Sequence, residues 1–108
     1  MKIIKDKTYL KDYKKKIVYK HLNKEIERIK DIEDLILDSP NLKLLIQNPL
    51  RLIYGIEQKN GGLKEIYTAE INRKIRLYMK PLGEYPYNIM EIKEIEFLKI
   101  DNKHYGDG

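Results

Sequence analysis

The chain has 108 residues, of which 42% are hydrophobic and 36% charged, with no cysteine and a formal net charge of +5. That length holds one core and not two, and the apolar share excludes a disordered chain, so a single domain over residues 1–108 is expected. No apolar run nears the roughly 20 residues of a membrane span and no signal-peptide core is present, which points to a cytoplasmic protein; without cysteine, disulfides, thiolate catalysis and Cys-ligated zinc are excluded, and two distant histidines make no metal site.

The first predicted element is a short strand, "KIIK" at residues 2–5, with Thr8 as the N-cap of the helix that follows. From Leu10 to Ile36 apolar residues recur at steps of three and four without an internal glycine or proline, which predicts one long amphipathic helix. "DSP" at 38–40 stops it, and Pro40 suits the first turn of a second helix through "NLKLLIQ", which Pro49 interrupts. Residues 50–62 hold no period and contain the turn sequence "NGG", so an irregular connector is predicted. "LKEIYTAEIN" and "RKIRLYMK" then read as strands joined by a tight turn near Asn72 and Arg73. "NIMEIKEIEFLKI" reads as a final long strand whose apolar phase slips between Ile92 and Ile95, as an inserted bulge residue would make it. This order gives an α+β fold, with a short first strand and a two-helix hairpin packed on one face of an antiparallel β-sheet; the other face is open.

The charge is uneven. Residues 1–30 carry 11 basic and 4 acidic side chains, residues 31–70 carry 4 and 7, and residues 71–108 carry 7 and 6. Such a pattern suits a polyanion such as RNA at one surface, although lysine-rich surfaces also serve solubility alone. In "RKIRLYMK" one side of the strand carries Ile75, Leu77 and Met79, and the other Lys74, Arg76, Tyr78 and Lys80. Cations interleaved with an aromatic suit single-stranded RNA, whose phosphates take Lys and Arg and whose unpaired bases stack; a plain solvated face has the same pattern. His21 reads as surface, Tyr13 and Tyr54 as core packing, Tyr85 and Tyr87 as loop anchors, and Glu91, Glu94 and Glu96 as charges that guard an edge strand. There is no P-loop, GxSxG, HExxH or dinucleotide fingerprint.

The segments "GGLKE", "YTAEIN" and "RKIRL", in that order and followed by a terminal "HY", resemble the RelE/ParE superfamily of type II toxin-antitoxin toxins, most closely its HigB-like branch. The resemblance covers about residues 35–108 together with the helical hairpin before them. It implies a RelE-like fold, a cognate antitoxin of helix-turn-helix type, and an mRNA interferase: a metal-independent endoribonuclease that cuts mRNA on the ribosome and inhibits translation. In that reaction the 2′-hydroxyl attacks the adjacent phosphate and leaves a 2′,3′-cyclic phosphate. It needs a cation for the charge on phosphorus, an acceptor for the 2′ proton and a donor for the departing 5′ oxygen, and no cofactor. Carried over by position, Arg76 matches the phosphate-stabilising arginine, and His104 and Tyr105 fall where the nuclease branches keep a histidine or tyrosine near the chain end. Arg73, Lys74, Tyr78, Lys80 and Lys103 are the expected RNA contacts. The chain departs from the pattern at Glu70, where many relatives carry arginine. The competing expectation is a ParE-like toxin that inhibits DNA gyrase without nuclease activity; a degenerate member kept as an antitoxin partner is a third.

Overall fold

Residues 1–102 are described by the computed structural model. Five strands form one sheet in the order β1-β5-β4-β3-β2: β1 (Lys2–Lys5), β2 (Glu57–Gln58), β3 (Tyr67–Glu70), β4 (Ile75–Pro81) and β5 (Glu94–Asn102). The run from β3 through β5 is antiparallel, as the sequence predicts, and β2, inside the predicted connector, pairs antiparallel with β3, whereas β1 lies parallel to β5 with Ile3 opposite Ile95. A parallel partner needs a long crossover, and residues 6–93 supply one.

The predicted long helix is two pieces. Helix α1 (Lys7–Asp12) is capped by Asp6, whose carboxylate accepts from the Thr8 amide at 2.9 Å, so Thr8 is the residue being capped and not the cap. Over Tyr13–Val18 the helix widens to i→i+5 bonding, with Tyr19 N to Lys14 O at 2.8 Å and Leu22 N to Ile17 O at 3.1 Å. His21 then takes a φ of +54° and reverses the chain into α2 (Asn23–Asp38). The apolar period runs through this turn because Ile17, Leu22 and Ile26 reach the same core from both arms. The hairpin is therefore α1 with α2, and not α2 with the next helix.

Beyond it, Asn41 caps α3 (Leu42–Gln47) by accepting from the Leu44 amide at 3.0 Å, and Asn48 accepts from Leu50 at 2.9 Å to start α4 (Leu50–Ile53) inside the predicted connector. Arg28 fastens three elements: its Nε donates to Glu70 O at 2.9 Å, its Nη2 to Ile53 O at 2.8 Å, and its guanidinium lies 4.9 Å over the Tyr54 ring.

One face of the sheet packs on the hairpin. Ile29, Ile32 and Ile36 of α2 meet Leu77, Met79, Phe97 and Ile100 of the sheet in one buried cluster. Each such side chain gains about 1.5–3 kcal/mol on burial before chain entropy is counted. Tyr9 packs edge-on against Phe97 at 5.2 Å. The Asp12 carboxylate accepts from Ile100 N at 3.0 Å, and Lys16 Nζ donates to Ile100 O at 2.6 Å, which holds the widened turn against the end of β5.

The predicted final strand is shorter than its apolar stretch, since residues 88–93 lie outside it, with a turn at 89–91. The register slip lies at Leu98, not between Ile92 and Ile95: Tyr78 faces Lys99 while Met79 faces Phe97. No helix among the described residues is long and apolar enough to cross a membrane.

Candidate functional site

The ladder dictates which side chains share the open face. With Leu77 and Met79 in the core, the cross-strand row Glu57, Thr68, Tyr78 and Lys99 points the other way, as does the neighbouring row Glu70, Arg76 and Asp101.

Arg76 lies near the centre of these rows, and its side chain is only 11% exposed. Its Nη1 donates to the hydroxyl of the fully buried Thr68 at 3.3 Å and to Glu57 Oε1 at 3.4 Å. Among the described residues Nε and Nη2 donate to nothing. One edge of the guanidinium is thus held by the protein and another is left for a planar, two-oxygen anion such as a phosphodiester. Glu57 is more than half exposed on the two-residue edge strand β2, so its carboxylate is within reach of solvent and of any ligand on Arg76. Sequence reasoning missed Glu57, which lies 19 positions from Arg76 in a segment without periodicity. The pairing of β2 with β3, Glu57 opposite Thr68, is the only signal that joins them.

The rest of the face is not the cationic strip expected from alternation. Lys80 pairs with Glu65 at 3.7 Å and Lys99 with Asp101 at 3.3 Å, so carboxylates from neighbouring segments offset the strand's cations. The Asp101 carboxyl is held below its ordinary range, first by the Asn102 N–H, which donates to it at 2.8 Å, and then by the Lys99 ammonium. Tyr78 is buried, with Lys99 Nζ 4.9 Å over its ring, so a base stacking there would have to take the place of Lys99.

Arg73 and Lys74 are exposed in the β3–β4 turn and not on the strand, because Asn72 Oδ1 accepts from the amides of Lys74 (2.8 Å) and Ile75 (3.0 Å) and folds that segment into an Asx turn. Glu70 faces Arg76 in register, and its side chain packs on Gly55, where an added Cβ would come within 3.1 Å of Glu70 Cβ. Gly55 has φ +59°, so this close approach and the left-handed turn both favour glycine. Lys103, His104 and Tyr105 lie outside the described residues. No group of three or more His, Cys, Asp or Glu among the described residues is placed to hold a metal ion.

The mixed five-stranded sheet with helices on one face matches the fold of RelE/YafQ-like toxins. Among solved structures the chain superposes on a YafQ mutant from E. coli with a TM-score of 0.60 and 19% identity, covering 94% of this chain and 91% of that one. It matches a YoeB/ParE toxin from Agrobacterium tumefaciens with a TM-score of 0.60 and 13% identity, over 96% and 100% of the two chains. The DinJ-YafQ toxin-antitoxin complex of E. coli matches with a TM-score of 0.56 and 19% identity, over 93% and 89%. No protein-family model and no curated protein sequence matches the chain.

Proposed function

We propose that this protein is the toxin of a type II toxin-antitoxin system in the RelE/ParE superfamily, HigB-like by its sequence motifs, and that it is a metal-independent endoribonuclease acting on mRNA at the ribosome. The observation that carries the reading is the half-satisfied guanidinium of Arg76, fixed by Thr68 and Glu57 at 3.3 and 3.4 Å on an open sheet face. Internal RNA cleavage asks for that pairing of a fixed cation with a solvent-facing carboxylate. Arg76 binds the scissile phosphate. Glu57 takes the proton of the 2′-hydroxyl as the 2′-oxygen–phosphorus bond forms. The bond from phosphorus to the 5′ oxygen breaks, and His104 or Tyr105 protonates the leaving oxygen. Arg73, Lys74, Lys80 and Lys103 hold flanking phosphates, Tyr78 stacks a base once Lys99 yields, and the partner that restrains the protein is a helix-turn-helix antitoxin.

The test is cleavage of a defined mRNA on programmed ribosomes in the presence of EDTA. The expected result is discrete cuts in the ribosomal A site that end in 2′,3′-cyclic phosphate, together with growth arrest on expression without an antitoxin. Growth arrest with inhibited DNA gyrase and intact mRNA would instead establish the ParE-like reading. Unchanged growth and intact mRNA would refute both.

A further inference from the structure

A second fixed arginine borders a cavity that the cleavage scheme leaves unused. The cavity holds about 230 Å³ at the β2 edge of the sheet, walled by Leu45, Ile46 and Ile56, with Arg51, Gln58 and Tyr67 as its polar lining and Glu57 at its rim. Gln58 pairs with Tyr67, and Tyr67 with the buried Met79, so the lining belongs to the helix side of the sheet, around the edge from Arg76. Arg51 is held at two points: its Nε donates to Ile46 O at 2.5 Å and its Nη1 to Ile56 O at 3.2 Å. Two of the five guanidinium N–H groups are thereby used, and the remaining three form a fork with no partner among the described residues. Gln58 donates its side-chain amide to Lys64 O at 2.6 Å and keeps its side-chain carbonyl as an acceptor. Burial raises the Tyr67 phenol above its ordinary value although Arg51 opposes the shift, so at neutral pH the hydroxyl is uncharged and able to donate.

We propose that this cavity is a specificity pocket for a guanine base, carried by a nucleotide beside the scissile phosphate and read by Arg51 and Gln58. The inference rests on the reading of Arg76 as the phosphate-binding cation. The apolar walls suit a flat ring, and the Glu57 carboxylate at the rim disfavours an anion. A fixed arginine fork fits two adjacent acceptors, and guanine carries O6 and N7 side by side, whereas adenine places an amino group next to N7 and would set N–H against N–H. The Gln58 carbonyl then accepts from the N1–H and amino donors of the next guanine edge. Cytosine also sets acceptors beside a donor, but its single ring leaves more of the cavity without contacts. Glu57 ties the pocket to the cleavage site, since it stands at the rim and its Oε1 accepts from Arg76 Nη1 at 3.4 Å. Strand β2 is outermost and two residues long, so no further strand blocks the way around the edge. A base that leaves the stack of a single strand follows this path while its phosphate stays at Arg76, and it supplies the sequence choice that phosphate contacts lack.

The test titrates 2′-O-methyl trinucleotides, with each base in turn between two uridines, into isotope-labelled protein and follows the amide resonances. Without a free 2′-hydroxyl these strands are not cleaved. Guanosine at the centre should bind about tenfold or more tighter than the other bases, with shifts centred on Ile56, Gln58 and Tyr67. Gln58→Ala should erase that preference, and so should Arg51→Lys, which keeps a cation for the two carbonyls but loses the fork. Thermal unfolding checks that both are folded; Gln58 is exposed, so Gln58→Ala decides by itself if Arg51→Lys is not. Because nothing is cut in this assay, a protein that selects guanosine but leaves mRNA intact on the ribosome would keep the pocket and refute the proposed function instead. Equal or absent binding of the trinucleotides, a preference for another base, shifts confined to the strands around Arg76, or a guanosine preference that survives Gln58→Ala would overturn the proposal.

Discussion

The two faces of the sheet are built by opposite rules. On the helix side Leu77, Met79, Phe97 and Ile100 are buried to 0% exposure, and their contribution is area removed from water. On the open side Lys80 and Lys99 each meet a carboxylate in a solvent-facing pair, and such pairs add about 0–1 kcal/mol apiece, while the 11% exposed Arg76 meets Glu57. The helix side therefore carries most of the stability, and on the other side the solvent-facing Glu57, Lys80 and Lys99, unlike the buried Thr68 and Tyr78, can change with little effect on the folding free energy. Arg76 stands out on that side in being only 11% exposed while keeping part of its donor set unspent.

The largest effect that would sharpen this contrast is Phe97→Ala, which removes the ring that Tyr9 packs against and should cost about 3–5 kcal/mol in urea unfolding. A loss under 1 kcal/mol would break the division between the faces. On the other side Glu57→Gln keeps shape and removes the proton acceptor, so cleavage should fall by about 10²-fold or more while the unfolding midpoint barely moves. Cleavage at the parent rate would transfer the base role away from Glu57.

A third effect is alkaline. Burial raises the phenols of Tyr9 and Tyr67, and with nearby Glu65 it pushes Tyr87 up to about 12; each is an acid whose folded-state value lies above the unfolded value near 10. Between those values the unfolded chain has lost its phenolic protons and the folded chain still holds them. Stability should thus be intact below about pH 10 and decline above it. Melting scans from pH 8 to 12 should show the midpoint falling above about pH 10 in the parent and falling less in Tyr87→Phe; a midpoint that is independent of pH over that range would contradict the burial argument. Smallest is His21→Gly, where the left-handed φ of +54° costs a side chain about 1 kcal/mol that glycine avoids, partly offset by glycine's freer unfolded chain. A net gain of a few tenths of a kcal/mol in thermal unfolding is expected, and a loss of stability would show that the side chain has a role at the turn.

Much of this contrast could be read from the chain alone. The alternation of Ile75, Leu77 and Met79 with Arg76 and Tyr78 identifies both faces of β4, because the strand period is two and one face is buried. The α2 row Ile29, Ile32, Leu35 and Ile36 is equally plain at helical spacing. What stayed hidden depends on φ or on register. The break at His21 leaves no mark in a hydrophobic pattern, since residues on both arms serve one core. Glu57 joins Arg76 only when β2 pairs with β3, and the carboxylates that offset Lys80 and Lys99 come from separate segments or from two positions along the same strand. Leu98 is skipped in the ladder, although the apolar phase suggests a slip earlier, because residues 88–93 lie before the strand and include a turn at 89–91. Strand alternation put Arg76 on the face away from the helices, where the ladder has it, but a per-strand reading overstated the positive charge around it.

The account turns on Arg76 as the phosphate-binding cation. Its most direct test is single-turnover cleavage of mRNA on programmed ribosomes by Arg76→Ala, with thermal unfolding of the same preparation. The prediction is a rate lowered by about 10²-fold or more in a protein that melts close to the parent, as expected when one transition-state donor is lost from a folded site. A folded Arg76→Ala protein that cleaves at the parent rate would contradict it.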